Sequence, residues 1–186
     1  MSNQHTPPMR QSEESDQEQL RLAREQGDAL GRALEAMDEE SETGVLVQRA
    51  GDYEVAFAAE EAEGMYSLED GELVWHDPTE ENCHVEIGVR DGADGRFVPG
   101  LDVTVTLVGP DGEEVGTHVQ PFLWHPWLYH YGRNWTIPVE GEYTARVRID
   151  PPTWMRHDHE NGRRYAEPVE VEFQVELEPG AKRVES

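Results

Sequence analysis

Two stretches of this chain concentrate side chains able to hold a metal ion. Residues 120–135 place His125 and His130 among Trp124, Trp127, Tyr129, Tyr131 and Trp135. Residues 154–162 run Trp-Met-Arg-His157-Asp158-His159-Glu160-Asn-Gly. Imidazole nitrogen is the commonest protein ligand for copper, zinc, iron and nickel. Several histidines and a carboxylate converging from different elements would therefore make a transition-metal site. Glu86 offers that carboxylate, on the face of its strand opposite the apolar row and beside His84, a further candidate as ligand or orienting group ranked below it. Tyr131, Asp158 and Glu160 are available to orient the imidazoles through hydrogen bonds. An isolated surface histidine is ordinarily only that. Read without the histidines, Trp124, Trp127, Tyr129 and Trp135 form an apolar platform for a glycan or protein partner.

The elements that must position these groups follow from hydrophobic period. Residues 1–16, rich in Ser, Gln, Glu and Pro, read as a disordered acidic tail. Over residues 17–39 the apolar positions Leu20, Ala23, Gly27, Leu30, Leu34 and Met37 step by three and four, the mark of an amphipathic helix. Gly27 and Gly31 each weaken it by about 1 kcal/mol relative to Ala. That helix docks on the rest of the chain or on its own copy.

From Gly44 the period becomes two. Cys83, Val85, Ile87 and Val89 share one strand face. Leu101, Val103, Val105 and Leu107 share another, as do Tyr143, Ala145, Val147 and Ile149, and Val169, Val171, Phe173, Val175 and Leu177. Asp70-Gly71 reads as a hairpin turn between residues 65–68 and 73–76. Strands of this kind, separated by Gly, Pro and Asp turns, predict an immunoglobulin-like antiparallel β-sandwich over residues 44–178. The two histidine stretches read as long loops of it, and 179–186 as a polar tail.

Forty Asp and Glu against fifteen Lys and Arg give a net charge of −25. Such a chain repels nucleic acid. Lys182 is its only lysine. Dense carboxylate with little lysine fits a halophilic protein, because molar salt shortens the Debye length to about 3 Å and screens the repulsion. One cysteine, Cys83, allows no internal disulfide and continues a core-facing row. No run of eighteen apolar residues predicts membrane insertion. The first sixteen residues carry one arginine, no apolar leader and no lipidation cysteine, which reads as cytoplasmic. Asn134-Trp135-Thr136 fits a glycosylation sequon. There is no nucleophile motif, phosphate-cradling glycine loop or zinc cysteine pair, so binding rather than catalysis is expected.

An ordered series of motifs carries a family resemblance: His84-Val-Glu86-Ile-Gly-Val-Arg, Tyr129-His130-Tyr-Gly-Arg-Asn134, Pro151-Pro152, Arg156-His157 and Glu167-Pro168-Val-Glu-Val-Glu-Phe173. Over residues 83–173 the chain resembles the periplasmic iron-transport proteins, exported iron- and copper-binding sandwich partners of high-affinity iron permeases. It looks closest to an acidic, haloarchaeal-type branch. The resemblance implies that Glu86, His130 and His157 hold the metal. The family's methionine after a proline does not carry over, because Phe122 and Leu123 follow Pro121. His125 is the candidate substitute, His159 the next, and Met65 a distant sulfur. A nitrogen in place of sulfur shifts preference from Cu(I) toward Cu(II), iron or manganese. The resemblance further implies a homodimer with the site near its interface, a membrane iron permease as partner, and export.

Overall fold

The protein is described by a computed structural model over residues 6–40 and 44–182. Among the described residues, one helix precedes eleven strands. Helix α1 (Gln17–Glu40) begins at a reciprocal cap. The Gln19 N–H donates to Asp16 Oδ1 and the Asp16 N–H to Gln19 Oε1, both at 2.9 Å, so two otherwise orphaned donors are satisfied. Ala23 and Gly27 of the predicted stripe are buried, and Leu20, Leu30 and Leu34 half-buried. The Met37 side chain lies outside the described residues.

The strands form a five-stranded sheet, a four-stranded sheet and a separate hairpin. The first sheet has the order β1 (Leu46–Ala50), β2 (Tyr53–Glu60), β5 (Cys83–Asp91), β9 (Tyr129–Trp135) and β8 (Phe122–Trp124). The second has the order β11 (Val169–Leu177), β10 (Gly141–Asp150), β6 (Asp102–Val108) and β7 (Glu114–Val119). The hairpin pairs β3 (Met65–Glu69) with β4 (Glu72–His76) through Asp70 and Gly71, both at positive φ. Antiparallel pairing joins the neighbours throughout.

The two sheets pack face to face over a core that includes Tyr53, Phe57, Ile87, Val105, Tyr143 and Phe173. Phe57 and Phe173 meet across it at 5.6 Å between ring centroids. Burying an aliphatic or aromatic side chain of this size contributes about 1.5–3 kcal/mol. Strands β6, β10 and β11 bury every second residue, as a sheet with one wet face must. Strands β2 and β5 differ: both of their faces are largely buried. Above Gly88 the second face meets Leu34 of α1.

Two sequence expectations are corrected. Residues 120–135 are not a loop but mostly the β8–β9 hairpin. Their alternation is hidden because β9 buries side chains on both faces: Tyr131 and Trp135 in the core, His130 on the other side. Residues 6–16, expected to be disordered, make ordered contacts. Thr6 Oγ1 donates to the Gly51 carbonyl at 3.1 Å, Ser12 Oγ to Asp158 Oδ2 at 2.7 Å, and the Arg10 N–H to Asn161 Oδ1 at 2.9 Å. Residues 1–5 lie outside the described residues.

Candidate metal centre

Strands β5 and β9 run antiparallel with Glu86 opposite Gly132 and His84 opposite Asn134. Side chains alternate along a strand, so His84, Glu86, His130 and Asn134 share the face turned away from the core. One donor atom from each of His84, Glu86 and His130 lies within 4.8 Å of the other two. The three residues are 2%, 8% and 5% exposed. Glu86 Oε1 stands 3.2 Å from His130 Nε2 and 3.7 Å from His84 Nε2.

Small residues make room for these rings. Gly132 lies beneath both imidazoles, and a Cβ there would come within 3.0 Å of His84 Nε2 and 3.1 Å of His130 Cδ2. On the other flank Glu86 pairs with Ala58 of β2.

Asn134 sets the His84 ring. The Glu63 N–H donates to Asn134 Oδ1 at 3.2 Å, and Asn134 Nδ2 donates to the Glu63 carbonyl at 2.7 Å. That arrangement fixes Oδ1 as an acceptor. His84 Nδ1, 2.8 Å away, must carry the proton. Its Nε2 then bears the lone pair, 3.7 Å from Glu86 Oε1.

His130 is less satisfied. Both ring nitrogens are buried without a hydrogen-bond partner, since the 3.2 Å approach to Glu86 lacks hydrogen-bond alignment. Burial, reinforced by the charges of His84 and His125, holds its pKa down at about 3. Burial first, then the charges of Glu60 and Glu63, pushes the Glu86 carboxyl up to about 8. His84 is likewise lowered, chiefly by burial. Close approach therefore does not make an ion pair: without a metal, the imidazoles are neutral and Glu86 is protonated at neutral pH. A divalent cation would supply the missing charge and use the unpartnered nitrogen.

A cavity of about 200 Å³ opens over Glu86 and His130, lined also by Glu60, Glu63, His125 and Lys182. His125 thus lies at the entrance, exposed, with its ring edge-on to Trp127. His157 and His159 are not brought to the cluster within the chain. His157 is 91% exposed, its Nδ1 2.9 Å from Glu14 Oε2, and it lines a separate cavity with Asp158, His159 and Glu160. Asp158 accepts hydrogen bonds from Asn161 and Ser12, which hold its pKa down at about 2. It orients its own loop, not an imidazole of the cluster. Tyr131 is also reassigned: it faces the core, donating to the Val98 carbonyl and accepting from the Leu101 N–H. Met65 stands half-buried on the β3–β4 hairpin, outside the cavity lining.

Of the aromatic platform, Trp124, Trp127 and Tyr129 are exposed, whereas Trp135 is core. Sequence reasoning missed Asn134, Glu60, Glu63 and Lys182. The strand period already places Asn134 on the His130 face, but nothing local marks Glu60, Glu63 or the C-terminal lysine.

The candidate metal donors of this antiparallel sandwich stand on paired sheet strands, which places it in the class of β-sandwich proteins with a strand-borne candidate metal centre. The family profile of the Fe2+ transport proteins matches residues 76–178, and the chain belongs to that family. FetP of uropathogenic Escherichia coli shares the fold: TM-score 0.60, 21% identity, 72% of this chain and 93% of that one. A copper-bound variant of FetP gives TM-score 0.59 at 20% identity, covering 72% and 95%. Copper-reconstituted P19 protein of Campylobacter jejuni gives TM-score 0.58 at 18% identity, covering 74% and 96%. No curated protein matches the sequence. That FetP was expressed in the periplasm, and nothing in these likenesses supports a cytoplasmic location. Among the described residues, no helix is long and apolar enough to cross a membrane.

Proposed function

We propose that this protein binds a transition-metal ion, copper(II) or iron, reversibly and as cargo, through His84 Nε2, His130 Nε2 and the Glu86 carboxylate. The observation that carries this reading is the buried His130 ring with both nitrogens unpartnered beside a carboxyl group and a second, pre-oriented imidazole. Nitrogen and oxygen donors without sulfur favour Cu(II), iron or manganese over Cu(I). The copper bound by FetP and P19 relatives supports copper among these. His125 lines the same cavity and would add a donor as the ion enters.

Binding is coupled to a proton. Glu86 must lose its proton to ligate, so loading releases one and acidification below about pH 8 favours release. The imidazoles, already neutral, contribute little to that dependence near neutrality. The deciding experiment is calorimetric titration of Cu(II) into the metal-free chain and into a His84→Ala, His130→Ala variant. Equal binding by the two sinks the reading.

The family supports an exported, non-catalytic role beside a membrane iron permease and a homodimeric state. Sedimentation in the presence and absence of metal tests the dimer. The acid-rich composition supports a high-salt setting, and a fold lost on removing salt is the expected result.

A second reading has its own observation. Phe122, Trp124, Trp127 and Tyr129 are exposed beside the cavity, with Phe122 and Tyr129 stacked at 5.4 Å. This patch suits a glycan or protein partner. Oligosaccharide or partner binding that survives loss of the histidines, with no metal bound, would favour it.

A further inference from the structure

The entrance to the metal cavity holds a cation that belongs to the chain. Lys182 Nζ lies 2.5 Å from Glu60 Oε2 and 3.4 Å from Glu63 Oε1, and lines the same cavity as Glu86, His125 and His130. Its backbone is fastened there. Ala181 bridges Ala62 in parallel register. The Lys182 N–H donates to the Ala62 carbonyl at 2.7 Å, the Ala62 N–H to Gly180 at 2.8 Å, and the Gly180 N–H to Asn82 at 2.7 Å. The segment expected to be a polar tail is, up to Lys182, a strap along the cavity edge.

The strap is connected to the ligands. Glu63, one of the lysine's two partners, is the residue whose backbone fixes Asn134 and thereby His84. A divalent ion entering past Glu60 and Glu63 meets the ammonium on its own attractive surface. The residue type matters. An ammonium is a compact point charge that makes no bidentate fork, so it leaves a carboxylate pair more readily than a guanidinium does. Every other Lys or Arg position in the chain is arginine. The lysine is about half exposed, so the pair is wet and exchangeable.

We propose that Lys182 is a tethered competitor for the incoming metal ion, neutralising Glu60 and Glu63 while the cluster is empty and yielding them to the ion as it loads. This rests on the metal-binding reading above. The device raises the concentration at which the cavity loads and slows capture of stray cations. It also keeps two carboxylates beside Glu86 from repelling each other in the empty state.

The test is Cu(II) titration of the full chain at low ionic strength, with wild type, Lys182→Gln and Lys182→Arg compared by calorimetry and stopped flow. Lys182→Gln is expected to bind about tenfold tighter or capture Cu(II) about tenfold faster, because one positive charge at the entrance is gone. That gain shrinks in high salt, and Lys182→Arg binds no more tightly than wild type. Because Lys182 is the only lysine, acylation of its peptide read by mass spectrometry reports its release, and Cu(II) should speed it. Affinity and rate unchanged or weaker in Lys182→Gln overturn the competitor and make the strap a brace. Cu(II) binding absent from wild type overturns the metal reading itself, and the competitor falls with it.

Discussion

His84 and His130 stand on paired strands, nearly sealed from solvent, with a carboxyl group between them. His157 and His159 project from the loop between β10 and β11 into water, flanked by Asp158, Glu160 and Glu14. In composition the two groups are alike. They differ in what has been settled before any ion arrives. The strand pair has already lost its water, and Asn134 fixes the His84 tautomer. A loop pair must order itself on binding and gives up hydration at that moment. Imidazole content does not distinguish the two groups; burial and a fixed tautomer do.

The sharpest way to break this contrast is to remove each pair in turn. His84→Ala with His130→Ala should lower Cu(II) affinity by at least about a hundredfold, since two of the three buried donors disappear. Should His157→Ala with His159→Ala cost as much, the exposed loop supplies a ligand that one chain alone does not bring to the cluster. Next in size is Asn134→Ala, which frees the His84 ring and should weaken Cu(II) binding by about 10–100-fold. Both are read by calorimetry.

The pH dependence follows. Below about pH 8 the metal competes with the Glu86 proton, so Cu(II) affinity should fall by about tenfold per pH unit, and Glu86→Gln should flatten that slope. Stability without metal carries the same signature. Glu86, raised from 4.5 to about 8, favours folding most below pH 4.5 and loses that contribution as pH climbs through 8. The loss is on the order of 5 kcal/mol. His130, lowered from 6.5 to about 3, contributes fully above 6.5 and loses it as pH falls toward 3. Thermal melts of the metal-free chain should therefore crest at mildly acidic pH, and Glu86→Gln should remove the alkaline decline. The smallest effect belongs to the loop. His157→Ala with His159→Ala should change thermal stability by under about 0.5 kcal/mol, as exposed substitutions do.

Much of this was legible in the residues. Single-faced strands such as β10 and β11 announce themselves because one face is wet and its neighbours are charged. The β9 strand did not, because Tyr131 and Trp135 fill the core while His130 is buried opposite, and burial on both faces erases alternation. Glu86 and His130 stood out by type and by family pattern. His84 was ranked below them, although the same two-residue period puts it beside Glu86. Asn134 enters the sequence reading as part of a sequon and of a family motif but with no role at the site, because that role depends on Glu63, far away in the chain. Lys182 reaches the site through a strap that no local pattern foretells, and the ordered residues 6–16 depend on partners more than forty positions distant.

Gly27 of helix α1 packs directly on the backbone of Asp94 and Gly95, with no space for even a methyl group. A joint with that clearance has one seat. The helix cannot slide along the sheet or shift by a turn, and partial withdrawal gains nothing. It should leave as a unit, so its amides would exchange with solvent in step, at a free energy set by docking rather than by fraying. Gly27→Ala, which favours an isolated helix by about 1 kcal/mol, should instead unseat this one and uncover Gly88 beside the metal face.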